Sequence, residues 1–368
     1  MFYDNAWSIQ QKCRMGGTDM CVGLSAKVVK ISDGTAVVDA GGAKREVSAQ
    51  LLGDLEPGDY VMVHAGVAIA RSPMMTRKRQ TADGGTAVME ERKKTAREII
   101  EGYQGPPVRI MEVCGTHTHE IFRLGIRRLL PPQVELISGP GCPVCVTPVG
   151  FIDEAVYLAL EKQVTICTFG DLVRVPGTKK SLADARAEGA RIRIVYSPAD
   201  AEKYAKEHPK EQVVFLSVGF ETTTPAGCLS VKKAGEDGLS NYSLLVANKT
   251  MPQAYQALKG SADVFLYPGH VNAITGTALC EHLAEEGISG VVAGFTAKEL
   301  LTALAVALVR FQEGKPFFVN CYPRVVKSEG SLEAQKLIDE LMEPCDSEWR
   351  GLGVIPGSAG APEGVGSL

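Results

Sequence analysis

Residues 108–119 read VRIMEVCGTHTH, and residues 134–145 read VELISGPGCPVC. Each stretch is a short, mainly apolar run followed directly by a loop that carries cysteine. Runs of this kind are typical of strands in parallel sheets, which helices cover on both faces. Ligands bind beyond the carboxyl ends of such strands, so both cysteine loops are predicted to share one crevice.

The same pattern recurs along most of the chain. Nine apolar runs alternate with helical patterns, at residues 108–113, 134–138, 164–169, 192–196, 213–218, 243–247, 264–267, 290–294 and 317–321. Nine strands suit two doubly wound sheets better than one. The sequence therefore predicts two parallel α/β domains, over residues 93–200 and 201–330. A C-terminal helix and a flexible, truncated tail are expected over residues 331–368.

Residues 20–72 have a different pattern. Five short β-branched runs are separated by the turn signals Asp33-Gly34, Gly41-Gly42 and Pro57-Gly58. Strands this short and closely spaced predict a small closed β-barrel of the OB type. Residues 1–19 form an extension, and residues 73–92 are a polar linker that tethers the barrel to a helix over residues 90–103.

Composition narrows the class of partner. The 368 residues carry 39 basic and 43 acidic side chains, a net charge of −4, which disfavours a broad grip on nucleic acid or an acidic membrane. The longest apolar run, residues 303–309, is too short to cross a bilayer, and the N-terminus has no secretory pattern. We therefore predict a cytoplasmic protein. Its ten cysteines are too few for a disulfide-built fold, so their clustering indicates metal or redox chemistry.

Three interpretations fit the two cysteine loops. Cys114, His117, Cys142 and Cys145 have the spacing of a structural zinc site. Cys142 and Cys145 alone resemble a thioredoxin-like redox pair. We favour a third interpretation, in which Cys114 holds a soft metal while Cys142 and Cys145 cycle between dithiol and disulfide, because thiolates suit both tasks.

Other strand ends add candidates for the same cleft. GFETTTP at residues 219–225 contributes Glu221 and Thr222, although helix capping explains the threonines equally well. PGHV at residues 268–271 contributes His270, and the first cysteine loop contributes His119 as well as His117. Glu221 and His270 each occupy the first turn after a predicted strand, where ligand groups concentrate.

Together these motifs resemble two families. Residues 20–72 resemble HypC, a small chaperone of nickel-iron hydrogenase maturation, through MCVGLSAKVVKI and GDYVMVHAGVAIA. Residues 107–356 resemble HypD, its larger partner. The shared motifs, in chain order, are MEVCGTHTHEI, SGPGCPVCVTP, TFGDLVRVPGT, VYSPADA, GFETTTP, PGHVNAITG and SEWRGLGVIP.

The resemblance implies a scaffold on which iron acquires cyanide and carbonyl ligands before the Fe(CN)2CO unit is delivered. It implies that Cys21 and Cys114 hold the iron, with His64 and His117 as direct or neighbouring partners. Cys142 and Cys145 would supply electrons for cyanide transfer. The implied partners are a HypE-like cyanide donor and the precursor of the hydrogenase large subunit. Such a factor is an accessory protein with transferase-like and thiol redox chemistry, and whether it is itself an enzyme is left open.

Two features depart from the families. Nineteen residues precede Met20, whereas HypC proteins carry their cysteine directly after the initiator methionine. The segment whose cysteines hold a four-iron-four-sulfur cluster in HypD is expected to be missing, because Cys321 and Cys345 alone cannot supply four ligands. Two alternatives therefore stay open: a zinc-stabilised binding protein or inactive truncated relic, and a general thiol–disulfide oxidoreductase.

Overall fold

A computed structural model describes residues 24–72 and 94–362. The N-terminal extension, Cys21 and all of the predicted linker lie outside these residues. Within the described ranges, no helix is long and apolar enough to cross a membrane.

The N-terminal strands close into a barrel, as predicted. The strand order is β1-β2-β3-β5-β4. The strands are β1 (Leu24–Ser32), β2 (Thr35–Ala40), β3 (Ala43–Ser48), β4 (Tyr60–His64) and β5 (Val67–Arg71). The turn between β1 and β2 needs a left-handed backbone, and Asp33 and Gly34 adopt φ of 47° and 72° there.

All nine apolar runs form strands of two parallel sheets, which confirms the predicted α/β class. One sheet has five strands in the order β14-β13-β12-β6-β7, and the other has four in the order β11-β10-β8-β9. Their bounds are β6 (Val108–Glu112), β7 (Val134–Ser138), β8 (Thr165–Thr168), β9 (Ile192–Ile194), β10 (Val213–Ser217), β11 (Tyr242–Val246), β12 (Val264–Pro268), β13 (Gly290–Ala293) and β14 (Phe318–Asn320).

The division of these strands between sheets corrects the predicted domain boundary. β6 and β7 pair with strands from the far end of the chain, because β6 hydrogen-bonds to β12. In chain order, the segment that forms the four-stranded sheet is thus inserted between β7 and β12 of the five-stranded sheet. A boundary at residue 200 falls inside the four-stranded sheet, between β9 and β10. Local patterns fix where strands occur, but pairing between distant strands decides which sheet each one joins.

Helices cover the sheets. Those in the described ranges are α1 (Ala96–Glu101), α2 (Gly115–Arg123), α3 (Pro143–Val146), α4 (Val149–Leu160), α5 (Leu182–Ala187), α6 (Pro198–Glu207), α7 (Thr224–Glu236), α8 (Met251–Ala257), α9 (Gly269–Thr275), α10 (Ala278–Glu285), α11 (Ala297–Phe311) and α12 (Leu332–Leu341). Short 3₁₀ turns occupy Ile126–Leu129 and Leu172–Arg174. Residues 90–93 of the helix expected over residues 90–103 lie outside the described ranges, and α1 begins at Ala96, where Thr95 and Glu98 form a capping box.

The C-terminal segment corrects another expectation. After α12 the chain forms an antiparallel hairpin of β15 (Met342–Trp349) and β16 (Gly353–Pro362), where a flexible tail was predicted. Trp349 anchors the hairpin, since its ring is fully buried and lies 5.9 Å from that of Phe220. The small residues of β16 allow this close packing, although their composition is also typical of a flexible linker.

The barrel packs directly on the α/β body. Barrel residues Met62, Val67 and Ile69 belong to one continuous apolar core that includes Tyr267 and Val271. Arg324 adds a polar link, because its Nη1 donates to Oγ of Ser72 at 3.0 Å. This docking brings the end of β4 next to the carboxyl ends of the sheets.

Candidate thiol and metal site

The two cysteine loops are in contact, as the shared-crevice prediction requires. Cys114 precedes α2 and Cys142 precedes α3. Gly115 N donates to Gly141 O at 2.8 Å. A Cβ atom at Gly141 would lie 2.3 Å from the backbone nitrogen of Cys114, so only glycine permits this approach. The glycines of GPGC thus hold the two loops together.

Cys142 and Cys145 form a thiol pair at the start of α3. Cys145 Sγ donates to Cys142 Sγ at 2.7 Å, and Cys145 N donates to the same sulfur at 3.3 Å. The side-chain hydrogen bond from Cys145 is the main cause that lowers the pKa of Cys142, against the opposing effects of burial and of Asp171. The thiolate form of Cys142 is therefore stabilised relative to that of an ordinary cysteine, the property that redox and ligand chemistry need.

Cys114 has a different environment. Burial raises the pKa of its thiol, and the backbone amides of His117 and Thr116 only partly oppose this effect. The thiol is therefore protonated at neutral pH until an electrophile or metal displaces the proton. Cys114 as a whole residue is half-buried.

Two buried imidazoles flank one aromatic ring behind this loop. The centroid of the Phe295 ring lies 4.7 Å from that of His117 and 3.9 Å from that of His270. His117 Nε2 donates to the carbonyl oxygens of Gly294 and Ala293, which leaves its buried Nδ1 without a partner. Burial lowers the pKa of His117 to about 4 and that of His270 well below its usual value. Both rings are neutral at pH 7.

The barrel contributes a third buried imidazole. His64 ends β4, and its Nε2 lies 3.4 Å from Oγ1 of Thr222. Burial lowers the pKa of His64 to about 4, and its Nδ1 has no partner. A cavity of about 170 Å³ opens between the barrel and the body, and its walls include His64, Val144, Asp171 and the barrel residue Ala26.

Glu221 lies in an apolar interior. Its Oε1 accepts from Met251 N at 2.8 Å, while Oε2 has no partner. Burial raises the pKa of this carboxyl to about 7. The hydroxyl of Tyr255, one helical turn after Met251, is also buried and unpartnered.

The structure does not assemble every predicted group. His119 is exposed, because two residues along a helix rotate its side chain by about 200° from that of His117. Its assignment to the cleft stays a prediction. Among the described residues, no three His, Cys, Asp or Glu side chains are placed to hold one metal ion. This contradicts the four-ligand zinc site, whose members Cys114, His117, Cys142 and Cys145 all lie in described ranges.

The absence of a three-residue metal-binding group among the described residues also applies to the predicted iron ligands. Cys114, His64 and His117 do not form a metal-binding group by themselves, and Cys21 lies outside the described residues. The thiols that a four-iron-four-sulfur cluster would use do not fit either. Cys321 follows β14 and Cys345 lies within β15, and the two thiols alone cannot supply four cluster ligands. We derive no step through such a cluster.

Two site residues carry no sequence-based assignment. Asp171 follows β8, and its buried Oδ1 has no partner. Arg350 follows β15, and its Nε donates to Thr147 O at 2.8 Å. Asp171, in the motif TFGD, closely follows a predicted strand, and ligand groups concentrate at such positions, so the sequence could have indicated it. Nothing local to the sequence places Arg350 beside a loop some 200 residues earlier.

The fold and the site define a thiol-bearing α/β protein with a β-barrel fused ahead of it. The HypD family model, described as "Hydrogenase formation hypA family", matches residues 90–362, and the HupF/HypC family model matches residues 20–77. The chain belongs to the HypD family and is a fusion of HypC-type and HypD-type modules.

Individual relatives agree with this assignment. The hydrogenase maturation factor HypD of Rhodobacter capsulatus is 44% identical over 258 residues, 68% of each chain. The HypD of Escherichia coli (strain K12) is 44% identical over 258 residues, 68% of this chain and 69% of its own. The hydrogenase expression/formation protein HupD of Azotobacter chroococcum mcd 1 is 42% identical over 289 residues, 75% of each chain. These findings support a role in hydrogenase maturation.

Proposed function

We propose that the chain is a maturation scaffold that binds one iron ion between Cys21 and Cys114. The iron acquires cyanide and carbonyl ligands there, and the scaffold then delivers the Fe(CN)2CO unit. The observation that carries this proposal is the contact between the Cys114 and Cys142 loops beside His64 of the docked barrel. One small region thus combines a lone thiol, a thiol pair and groups from both modules.

Chain geometry supports the participation of Cys21. It precedes Leu24, the first residue of β1, by three residues, which span at most about 10 Å. Ala26 of the same strand lines the cavity that His64 and Val144 also line. The strand that follows Cys21 in the sequence therefore contributes to the wall of this cavity, which supports a role for Cys21.

The ligand chemistry suits this cargo. Thiolates are soft ligands, which favour iron that carries cyanide and carbonyl groups. Iron binding displaces the proton that burial holds on Cys114. Neutral His117 and His270 line the interior without adding positive charge, and Phe295 between them excludes water.

The thiol pair supplies the redox component. Closing a disulfide between Cys142 and Cys145 releases two electrons and two protons, and an external dithiol restores the pair. The partners in this proposal are a HypE-like cyanide donor and the precursor of the hydrogenase large subunit.

The test is iron loading in cells that supply the cyanide donor. We expect the anaerobically purified chain to contain iron and to show infrared bands in the cyanide and carbonyl stretching regions. Cys21→Ser and Cys114→Ser should remove both iron and bands, whereas the matched control Cys321→Ser keeps them. Unchanged iron loading in Cys114→Ser would overturn the proposal.

The hydrogen bond between Cys145 and Cys142 also favours a second candidate, a general thiol–disulfide oxidoreductase. This function predicts that the isolated chain reduces insulin disulfides and that Cys114→Ser keeps full activity. If the pair serves both roles, Cys142→Ser should lose both insulin reduction and the iron-bound diatomic ligands. Cys114→Ser should then lose only the iron-bound diatomic ligands.

A further inference from the structure

The C-terminal hairpin meets the thiol pair at one residue. The turn between β15 and β16 is fixed by Trp349, whose Nε1 donates to Oγ of Ser358 at 2.8 Å. The next residue, Arg350, projects from this fixed turn toward the loop that carries Cys142 and Cys145. The orientation of its side chain therefore follows from the packing of the hairpin.

Arg350 binds two site loops at once. Its backbone nitrogen donates to Val146 O at 2.9 Å, and its Nε donates to Thr147 O at 2.8 Å. Its Nη2 donates to Pro176 O at 3.1 Å, in the loop that also carries Asp171. The carbonyls at the end of so short a helix as α3 have no intrahelical donors, so Arg350 supplies them. A planar guanidinium matches this arrangement of acceptors better than an ammonium does.

The charge of Arg350 also lies close to the thiols. Cys145 directly precedes Val146, the residue to which Arg350 N donates. Burial lowers the pKa of Arg350, while attraction to Cys145, Asp153 and Glu348 acts in the opposite direction. Asp171 has the opposite effect, because its charge disfavours negative charge on Cys142. The guanidinium and the carboxylate therefore act on the pair in opposite directions.

We propose that Arg350 is the positioning residue of the thiol pair, holding the α3 loop in place and stabilising the pair's reduced, anionic form. Nothing in the family assignment requires this role. A cation that stabilises thiolate favours the dithiol over the disulfide and so raises the reduction potential. The inference rests on the proposed function only in assuming that the pair is redox-active.

The test is equilibration of the purified chain with glutathione buffers. In this exchange the disulfide takes two electrons and two protons from two glutathione thiols, which become glutathione disulfide. Arg350→Gln should shift the equilibrium about tenfold toward the disulfide, which corresponds to a potential about 30 mV lower. In Arg350→Gln, alkylation of the thiol pair by iodoacetamide should also require a higher pH than in wild type. The surface control Arg310→Gln, which removes an ion pair with Glu313, should change neither.

A second variant separates charge from packing. Arg350→Lys keeps the charge and the backbone bond to Val146 O but cannot bind the carbonyls of both Thr147 and Pro176, so we expect a lower unfolding temperature with an equilibrium within about threefold of wild type. If Arg350→Gln does not fold, a tenfold shift in folded Arg350→Lys overturns the electrostatic part. Equal potentials in wild type and folded Arg350→Gln overturn the whole inference. Iron loading is measured separately. Its absence would overturn the proposed function but would not change the conclusion about Arg350 and the thiol pair.

Discussion

His64 Nε2 lies 3.4 Å from Oγ1 of Thr222, and this contact joins the barrel to the loop of the Glu221 motif. Both side chains are buried, so the polar contact forms where water does not compete. The position of the barrel is therefore linked to the same loop that carries Glu221.

Acid should weaken the folded state through His64. Its pKa is about 4 in the folded chain and 6.5 when unfolded, so the unfolded state binds the extra proton between these values. Stability from this group is complete above pH 6.5 and falls by about 3 kcal/mol as pH drops to 4. Urea unfolding of wild type and His64→Gln should show a difference that shrinks from pH 7.5 to 5. Parallel pH dependence in the two proteins would contradict this account.

Gly141→Ala should separate the two cysteine loops. The added Cβ would meet the Cys114 backbone at 2.3 Å, and backbone atoms cannot yield as side chains do. We expect a loss of stability of about 1–3 kcal/mol, as for other overpacked sites, together with loss of iron loading. Gly150→Ala is the control, because a Cβ there meets nothing within 4 Å. Equal stability and loading in both variants would show that the close contact is dispensable.

Removing the neighbouring thiol should make Cys142 less reactive. The side-chain hydrogen bond from Cys145 is the largest cause of the lowered pKa at Cys142. In Cys145→Ala that pKa rises, and alkylation of Cys142 at pH 7 slows, measured peptide by peptide with mass spectrometry. Cys345→Ala should leave the Cys142 rate unchanged. A rate at Cys142 that does not depend on Cys145 would mean that the backbone amide alone stabilises the thiolate.

Sequence patterns predicted much of this architecture because strands and tight turns are local. The barrel strands, the nine parallel strands and the positions of both cysteine loops follow from short-range periodicity and glycine turns. The close contact of the two cysteine loops at Gly141 could be predicted for the same reason. The carboxyl ends of parallel strands lie at one edge of the sheet, so loops that follow two such strands bring Cys114 near Cys142.

The rest depended on long-range packing. The insertion of one sheet within the other is fixed by pairing of β6 with β12, some 150 residues apart. Arg350 reaches its site only because Trp349 anchors the C-terminal hairpin. The small residues of this segment had instead predicted a flexible tail.

Glu221→Gln should stabilise the protein in mild alkali. Burial raises the pKa of Glu221 to about 7, against 4.5 in the unfolded chain, so the folded state binds the extra proton between these values. Stability from this group is complete below pH 4.5 and is lost as pH rises through 7, at a cost of about 3 kcal/mol by pH 8. Glutamine removes that cost and keeps an oxygen for Met251 N. Unfolding midpoints should therefore coincide near pH 5 and favour the variant at pH 8. Exposed Glu135→Gln should show no such divergence, and a Glu221→Gln difference that is constant with pH would mean that the carboxyl is already charged in the folded state.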